Sequence, residues 1–357
     1  TFWFFTWEAN KFGDPNVGGS MTSTVPREAW RNGNLSDLLT LGANYQVYDP
    51  ATIAVAPGGR YSRQPFAGNI IPPSRINPTS KKLLELWPLP NQAGRSDGRD
   101  NFFMSRPALE DYWTTIGRID HAFSEKSRLF VRFHRDFWEE DKNRHFGNSV
   151  NGVILNRINR GIALDEVYMF SPALLLQFRY GLAQQEFPER RVSRGFDLTS
   201  LGLSSNLANL VDKSLATIPR IGAGSLSTVS PWESGDGVTA SISHNVVGTF
   251  TWMKGDHNIR FGPDFMVFRE FRNRFQASVS PDFSFSNLWG RGPLDNSTAP
   301  PVGAELVSLL LGIPGGSMSV SGSYAEQDQY LGLFIQDDYK VTRKLTLNLG
   351  LRAEHEW

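Results

Sequence analysis

The chain has 357 residues, and its 36 Lys and Arg are balanced by 36 Asp and Glu, so no overall charge recruits nucleic acid or an anionic membrane. It contains no cysteine, which excludes a disulfide scaffold and thiolate metal sites. No run of about 18 apolar residues occurs, which excludes a helical membrane span but leaves a membrane barrel open, because barrel strands alternate apolar and polar residues.

The first predicted element is the strand "TFWFFTW", and the stretch 8–114 that follows it is too long for a plain loop. Pro26 predicts the start of a short helix in "TVPREAW". Asn77 or Thr79 predicts the cap of a second helix, which the prolines of "PLP" end. The segments around these helices are typical of extended or turning chain. We therefore expect a small packed insert with short helices.

Four hairpins follow, and each has two long strands joined by a very short turn. They lie near residues 114–138, 157–187, 239–275 and 324–357. Apolar and polar residues alternate strictly in them, as Leu345, Leu347 and Leu349 alternate with Thr346 and Asn348 in the last strand. Many of these strands reach ten residues or more. That length crosses a bilayer, whereas strands of soluble proteins usually have about five or six residues.

The connections between the hairpins are long and rich in Gly, Pro, Ser and Asn. They cover residues 8–114, 139–156, 188–238 and 276–323. Short turns that alternate with long loops are typical of outer-membrane barrels, whose long loops are extracellular. The sequence therefore predicts an all-β fold. The predicted fold is an antiparallel transmembrane barrel, of which residues 1–357 supply about eight or nine long strands and an extracellular insert at 8–114. We expect a partial barrel, because an open sheet leaves edge amides unpaired in lipid.

The alternation also assigns candidate residues to the two sides of the strands. Polar residues predicted to face the lumen are Arg118, Arg128, Arg132, Arg179, Arg260 and Arg352. They would form ion pairs with the wall or with a plug, or line a solute path. Aromatic residues predicted at the membrane interfaces are Trp138, Phe170, Trp252, Tyr339 and Trp357, with ordinary packing as the alternative. Asp337 falls on the leucine side next to the turn at 342–344, which indicates a membrane boundary.

The sequence contains no pattern that is typical of a catalytic, metal or cofactor site. The six histidines have no ligand spacing, and no two carboxylates have a spacing that suggests acid–base work. The acids of "EED" at 139–141 would bind a cation or simply be solvated in a loop. The basic segments "RVSRGF" and "REFRNRF" lie at outer strand ends, which favours contact with lipopolysaccharide phosphates over nucleic acid. We expect no enzyme activity and no cofactor.

Several blocks, spread in order over nearly the whole chain, together resemble one family. They are "TVPREAWRNGNLSDL", "YDPAT", "PFAGNIIPPSRINPTSKKLLELWPLPN", "GRIDHAFSEKSRLFVRFHRD", "FSPALLLQFRYGLAQ" and "LFIQDDYKVTRKLTLNLGLRAE". The family is the Oar-like TonB-dependent outer-membrane receptors. The resemblance implies a Gram-negative outer-membrane transporter with a 22-stranded barrel and a plug in its lumen. It also implies a TonB box that contacts the energy-coupling complex, and an N-terminal β-sandwich. None of these N-terminal parts is visible in the chain.

Three functions remain open at this point. The resemblance implies a segment of a TonB-dependent transporter that takes up a bulky solute without covalent chemistry. A barrel that does not pump, either a passive porin-like channel or a surface adhesin, would show the same hairpins and loops. A secreted soluble β protein that binds glycans with Trp and Tyr would instead bury its leucine faces against a second sheet.

Overall fold

The computed structural model describes residues 1–14, 20–230, 236–275, 280–318 and 322–357. Its main feature is one sheet of nine long antiparallel strands, each paired with its neighbours in chain order. We call this sheet the wall. Its strands are β1 (Phe2–Asp14), β2 (Ala108–Ser124), β3 (Ser127–Lys142), β4 (Val153–Ser171), β5 (Leu174–Arg191), β6 (Asp236–Lys254), β7 (His257–Phe275), β8 (Tyr324–Thr342) and β9 (Leu345–Glu356).

The wall confirms the prediction of an all-β fold with eight or nine long strands. Two-residue turns at 125–126, 172–173, 255–256 and 343–344 join its strands into the four predicted hairpins. The strands extend several residues beyond the alternating segments, since β4 has 19 residues and begins at Val153 rather than near 157. Among the residues that the structure describes, β1 and β9 do not pair with each other, so the sheet is open.

The long connections meet at the other end of the wall and form a second unit, which we call the loop cap. It comprises residues 20–107, 143–152, 192–230 and 280–318. Its helices are α1 (Glu28–Arg31), α2 (Ser36–Leu39), α3 (Pro78–Leu84), α4 (Ser205–Ala208) and α5 (Ala304–Leu310), with 3-10 turns at Ala43–Tyr45, Pro57–Gly59, Ala67–Asn69, Pro73–Arg75 and Leu198–Leu201. Its short strands are Ser20–Ser23, Tyr48–Ala56, Arg60–Pro65, Phe102–Ser105, Arg220–Ala223, Leu226–Val229, Asp282–Phe285 and Gly315–Ser317.

Both predicted helices of the first connection are present. The first, α1, begins two residues after Pro26. The second, α3, is capped by Asn77, whose Oδ1 accepts hydrogen bonds from the backbone N–H of Thr79 at 2.9 Å and of Ser80 at 3.3 Å. None of the helices in the described ranges is long and apolar enough to span a membrane.

The hydrophobic core of the molecule lies in the loop cap, where it is drawn from all four connections. Trp30 and Trp87 come from the first connection, Ile221 from the third, and Leu306 and Leu309 from α5; each is at most 1% exposed. The packed unit is therefore larger than the predicted insert at 8–114. The later connections supply apolar segments that pack against the first.

Candidate functional site on the polar face of the wall

The register of the wall sorts its side chains onto two faces, because residues directly opposite in an antiparallel pair share a face. Ile335 lies opposite Phe261 and Leu351, whereas Gln336 lies opposite Arg260 and Gly350. We call the first the leucine face and the second the arginine face. The leucine face carries Val131, Ile162, Leu182, Val246, Phe265, Leu333 and Leu351.

All six arginines that the sequence assigned to the lumen lie on the arginine face. The register brings Arg118 directly opposite Arg132, and Arg179 directly opposite Asp165. The alternation of the strands therefore predicted their common face correctly. That this face lines a lumen stays a prediction, since the sheet is open.

In the first half of the wall, two of these arginines are held by carboxylates. Arg118 donates two hydrogen bonds of 2.7 Å to Asp120, and its guanidinium lies 4.1 Å from the centre of the Phe130 ring. Arg179 donates to Asp165 at 2.7 Å. Each pair neutralises its charge within the wall and fixes a planar guanidinium against the sheet.

A second group of pairs joins β7, β8 and β9. Arg260 lies 3.2 Å from Asp338, and Arg352 lies 3.3 Å from Asp264. Arg352 also donates to the hydroxyl of Tyr330 at 2.5 Å. The three strands are thus cross-linked by polar side chains on one face, in addition to their backbone hydrogen bonds.

Arg128 and Arg132 differ from the other four. Within the described ranges, neither contacts a carboxylate, and Arg132 faces the like charge of Arg118 across the β2–β3 pair. Arg128 borders a cleft of about 470 Å³ that Asp120 and Asp165 also line. This part of the arginine face therefore keeps positive charge that is available to an anionic group from outside the wall.

Four of the five predicted interface aromatics lie on the leucine face. Phe170, Trp252 and Tyr339 lie within four residues of the short turns, and the Tyr339 ring stacks on His257 with centroids 4.1 Å apart. Trp357 lies at the opposite end of β9, next to Gln329. Their heights fit two aromatic belts, a role that stays a prediction.

Trp138 is the exception, because it lies on the opposite face from the other four aromatic residues; its role at a membrane interface stays a prediction. It shares the arginine face with Arg132, because β3 is regular from Ser127 to Lys142 and both residues have the same parity. Its indole N–H donates to Glu110 at 2.9 Å, and the guanidinium of Arg157 lies 4.5 Å from its ring. The side chain is therefore part of the polar face.

The acidic clusters noted in the sequence are bound by neighbouring side chains. Asp337 lies on the leucine face beside a turn, as predicted, and its Oδ2 is 2.6 Å from Nδ1 of His257. In "EED", Glu139 accepts from Asn156 at 2.8 Å, and the other two acids bind Lys142 and Arg144. No group of three or more His, Asp or Glu in the described part of the chain is arranged to hold a metal ion.

Two carboxylates in the loop cap were not among the residues predicted from the sequence. Asp49 accepts from Arg75 at 2.8 Å, and this hydrogen bond holds the pKa of Asp49 below its usual value. Glu305 is 2% exposed at the start of α5, and burial raises the pKa of its carboxyl group. The sequence signal for Glu305 is its position as the one acidic residue inside the apolar segment "VGAELVSLLLG".

The chain matches a protein-family model and resembles solved structures. A family model described as an outer membrane beta barrel domain matches residues 1–356. No curated protein matches the chain. The crystal structure of the outer membrane transporter YddB from Escherichia coli is similar at a TM-score of 0.46 and 10% identity, covering 73% of this chain and 29% of that chain. The present chain thus spans less than a third of that transporter.

Proposed function

The chain belongs to the family of outer membrane beta-barrel domains and lies in the outer membrane; from this premise we propose that it is part of the wall of a TonB-dependent transporter for a bulky solute. An outer-membrane location excludes the secreted, soluble glycan-binding protein. The leucine face then contacts lipid, and the arginine face contacts the lumen.

The height of the wall is the observation that carries the proposal. Strands β4, β6, β7 and β8 each have 19 residues. At a tilt of about 40° such a strand rises about 45 Å, whereas the apolar band of a membrane barrel is about 25 Å tall. About 20 Å of wall therefore extends beyond the lipid and ends in the packed loop cap. A tall polar vestibule with ordered loops suits capture of a bulky solute better than passive diffusion.

Two further features support the dependence on TonB. The hairpin of β8 and β9 has the sequence "LGLFIQDDYKVTRKLTLNLGLR", which resembles a barrel hairpin of TonB-dependent receptors. The uncompensated Arg128 and Arg132 suit carboxylates on a plug domain that fills the lumen. In this proposal the energy for release comes through the plug, and the chain carries out no covalent chemistry.

A surface adhesin is the second candidate, and the hairpin formed by Tyr48–Ala56 and Arg60–Pro65 favours it. Its tip exposes Val55 at 83% and Tyr61 at 51%. Exposed apolar side chains on a projecting hairpin are suited to contact with another surface.

Conductance across a planar bilayer tests the proposal. The protein purified from the outer membrane is expected to give no steady current, because a plug closes the lumen, and to bind the periplasmic domain of TonB. A steady current without any energy source identifies a passive channel instead. Closed pores that do not bind TonB, together with loss of cell attachment when residues 48–65 are deleted, identify an adhesin.

A further inference from the structure

A row in which polar residues predominate crosses the leucine face at one level of the wall. Each member lies directly opposite the next across neighbouring strands, from β3 to β8. The row is Arg135, Arg160, Gln184, Ile242, Arg269 and Gln327. Its three arginines, Arg135, Arg160 and Arg269, point to the side of the leucines, and we call them the outward arginine row.

The row lies at the outer boundary of the lipid-facing band. Arg160 is 11 residues from the end of β4 at Ser171, and Arg269 is 12 residues from the start of β7 at His257. At a tilt of about 40° these separations place both about 28–30 Å above the short turns, close to the height of about 25 Å expected of the apolar band. The outward arginine row therefore stands where outer-leaflet headgroups begin.

The positive charge of the row is only partly compensated. Arg160 donates to Glu186 at 3.0 Å and to Gln184 at 3.2 Å. Arg135 lies directly opposite Arg160 and stacks on Trp113, with its guanidinium 5.4 Å from the ring centre. Like charges directly opposite each other in a sheet are destabilising, so this pair favours an anion between or beside them.

Arg269 is the other uncompensated member. It is exposed and donates to the neutral side chain of Gln327 at 2.7 Å. Within the described ranges, neither Arg135 nor Arg269 contacts a carboxylate. Next to Arg269, on the side away from the membrane centre, a groove of about 420 Å³ is lined by Ala240, Phe271 and Ala325, and Glu270 and Glu326 also border it. The small residues open the groove, and the ring of Phe271 provides an apolar floor, 43% exposed, on which a sugar ring can lie.

We infer that the outward arginine row binds the phosphate groups of a phosphorylated glycolipid in the outer leaflet, and that the groove beside Arg269 holds a sugar of its headgroup. Guanidinium groups form paired hydrogen bonds with phosphate and are the side chains best suited to it. The inference rests on the leucine face contacting lipid, and it holds for a transporter, a channel or an adhesin alike.

The site overlaps the basic segments of the sequence at one residue only. Of the arginines in "REFRNRF", Arg269 belongs to the row, whereas Arg272 lies on the arginine face and is bound by Glu270. Arg135 and Arg160 lie in mid-strand, outside either segment.

The test is a titration of the protein, purified in detergent from the outer membrane, with lipopolysaccharide. The variants are R135Q/R160Q and R269Q. The matched control is R132Q, which removes an exposed arginine from the same strand as Arg135 but from the opposite face. We expect the affinity to fall about tenfold in each of the two row variants, the loss expected of one to two charge-assisted contacts, and to stay unchanged in R132Q.

Three comparisons distinguish the ligands. Dephosphorylated glycolipid is expected to bind as weakly to the wild type as lipopolysaccharide binds to the row variants. Phosphatidylglycerol and inorganic phosphate are expected to bind more weakly than lipopolysaccharide, since neither carries the sugar. Equal binding by the row variants and R132Q would overturn the inference, and equal affinity for phosphatidylglycerol would overturn the sugar site. If R135Q/R160Q does not fold, R269Q tests the row from another strand.

Discussion

Glu305 places a carboxyl group inside the core of the loop cap, where it links α5 to the turn between the strands Arg220–Ala223 and Leu226–Val229. Its Oε1 accepts from the hydroxyl of Ser225 at 2.5 Å and from the backbone N–H of Ser225 at 3.4 Å. We expect Glu305→Ala to destabilise the cap by about 2–3 kcal/mol, because it leaves buried donors unpaired. Glu305→Gln keeps one acceptor oxygen and is expected to reduce the stability of the cap by less than Glu305→Ala does. Hydrogen exchange of residues 220–229 measures the effect, and equal protection in the two variants would contradict it.

The same carboxyl group predicts a pH dependence. Its pKa in the folded cap is raised above the ordinary value of 4.5, so the folded state binds the proton more tightly than the unfolded chain. The stability contributed by protonated Glu305 is present at low pH and is lost as the pH rises through the folded-state pKa. We expect the free energy of opening of residues 220–229 to fall as the pH rises through the raised pKa of Glu305, above about 4.5, and this slope to disappear in Glu305→Gln. Identical slopes in both proteins would assign the effect to another group.

Gly262 allows β6 and β7 to approach closely on the arginine face. A Cβ atom at this position would lie 1.8 Å from the carbonyl oxygen of Gly248, so the backbone of one strand must shift. We expect Gly262→Ala to reduce the fraction of protein that shows the heat-modifiable mobility of a folded barrel. Gly181→Ala is the matched control, because nothing lies within 4 Å of its added Cβ. Equal folding of the two variants would show that the strands adjust freely.

At this scale the sequence predicts which face a side chain occupies but not its partner there. Whether a residue is odd- or even-numbered within its strand is a local property, and it assigned all six arginines to the same face. The neighbour across the sheet depends on the register between strands, which parity does not contain. Asp165 and Arg179 meet although they are 14 residues apart. The outward arginine row was not predicted for the same reason. Arg135 and Arg160 each interrupt an apolar face in a separate strand, and only the register between the strands brings them together.

Among the helices of the loop cap, α5 is the one whose residues are all buried. All seven of its residues are buried, and Leu309 is 0% exposed. We expect Leu309→Ala to lower the free energy of unfolding of the cap by about 2–5 kcal/mol, because it removes contacts and leaves a cavity. Leu210→Ala removes a leucine that is 67% exposed in the same cap and is expected to change stability by less than about 0.5 kcal/mol. Urea titration followed by limited proteolysis of the cap checks both, and a tolerant Leu309→Ala would indicate a core that collapses around the gap.

Hairpins and helix caps were predictable because their signals are local. Alternation marks the strands, and Asn77 marks the start of α3. The helix α5 was not predicted, because its sequence is apolar all round and shows no amphipathic period in a connection rich in Gly and Pro. Only the packing of four distant connections explains why that segment folds.

The whole molecule combines two units that need different surroundings. The loop cap buries its apolar side chains in its own core, as a soluble domain does. The wall exposes Leu333, Leu349 and Leu351 at 53%, 58% and 73%, which is stable only where lipid or detergent covers them. Stability of the cap therefore depends on packing, whereas stability of the wall depends on the bilayer and on the pairing of its edges.

The open edges of the wall give the last prediction. Within the described ranges, the outer sides of β1 and β9 have no partner strand, and unpaired amides in hydrocarbon cost several kcal/mol each. A polypeptide of residues 1–357 alone is therefore expected to refold in detergent without heat-modifiable mobility and to form no channel in a planar bilayer. The protein purified from the outer membrane, treated in parallel, is the control and is expected to keep its folded mobility. A folded monomer of residues 1–357 would show that nine strands close on themselves, and a folded species of twice its mass would show that the edges pair between two copies.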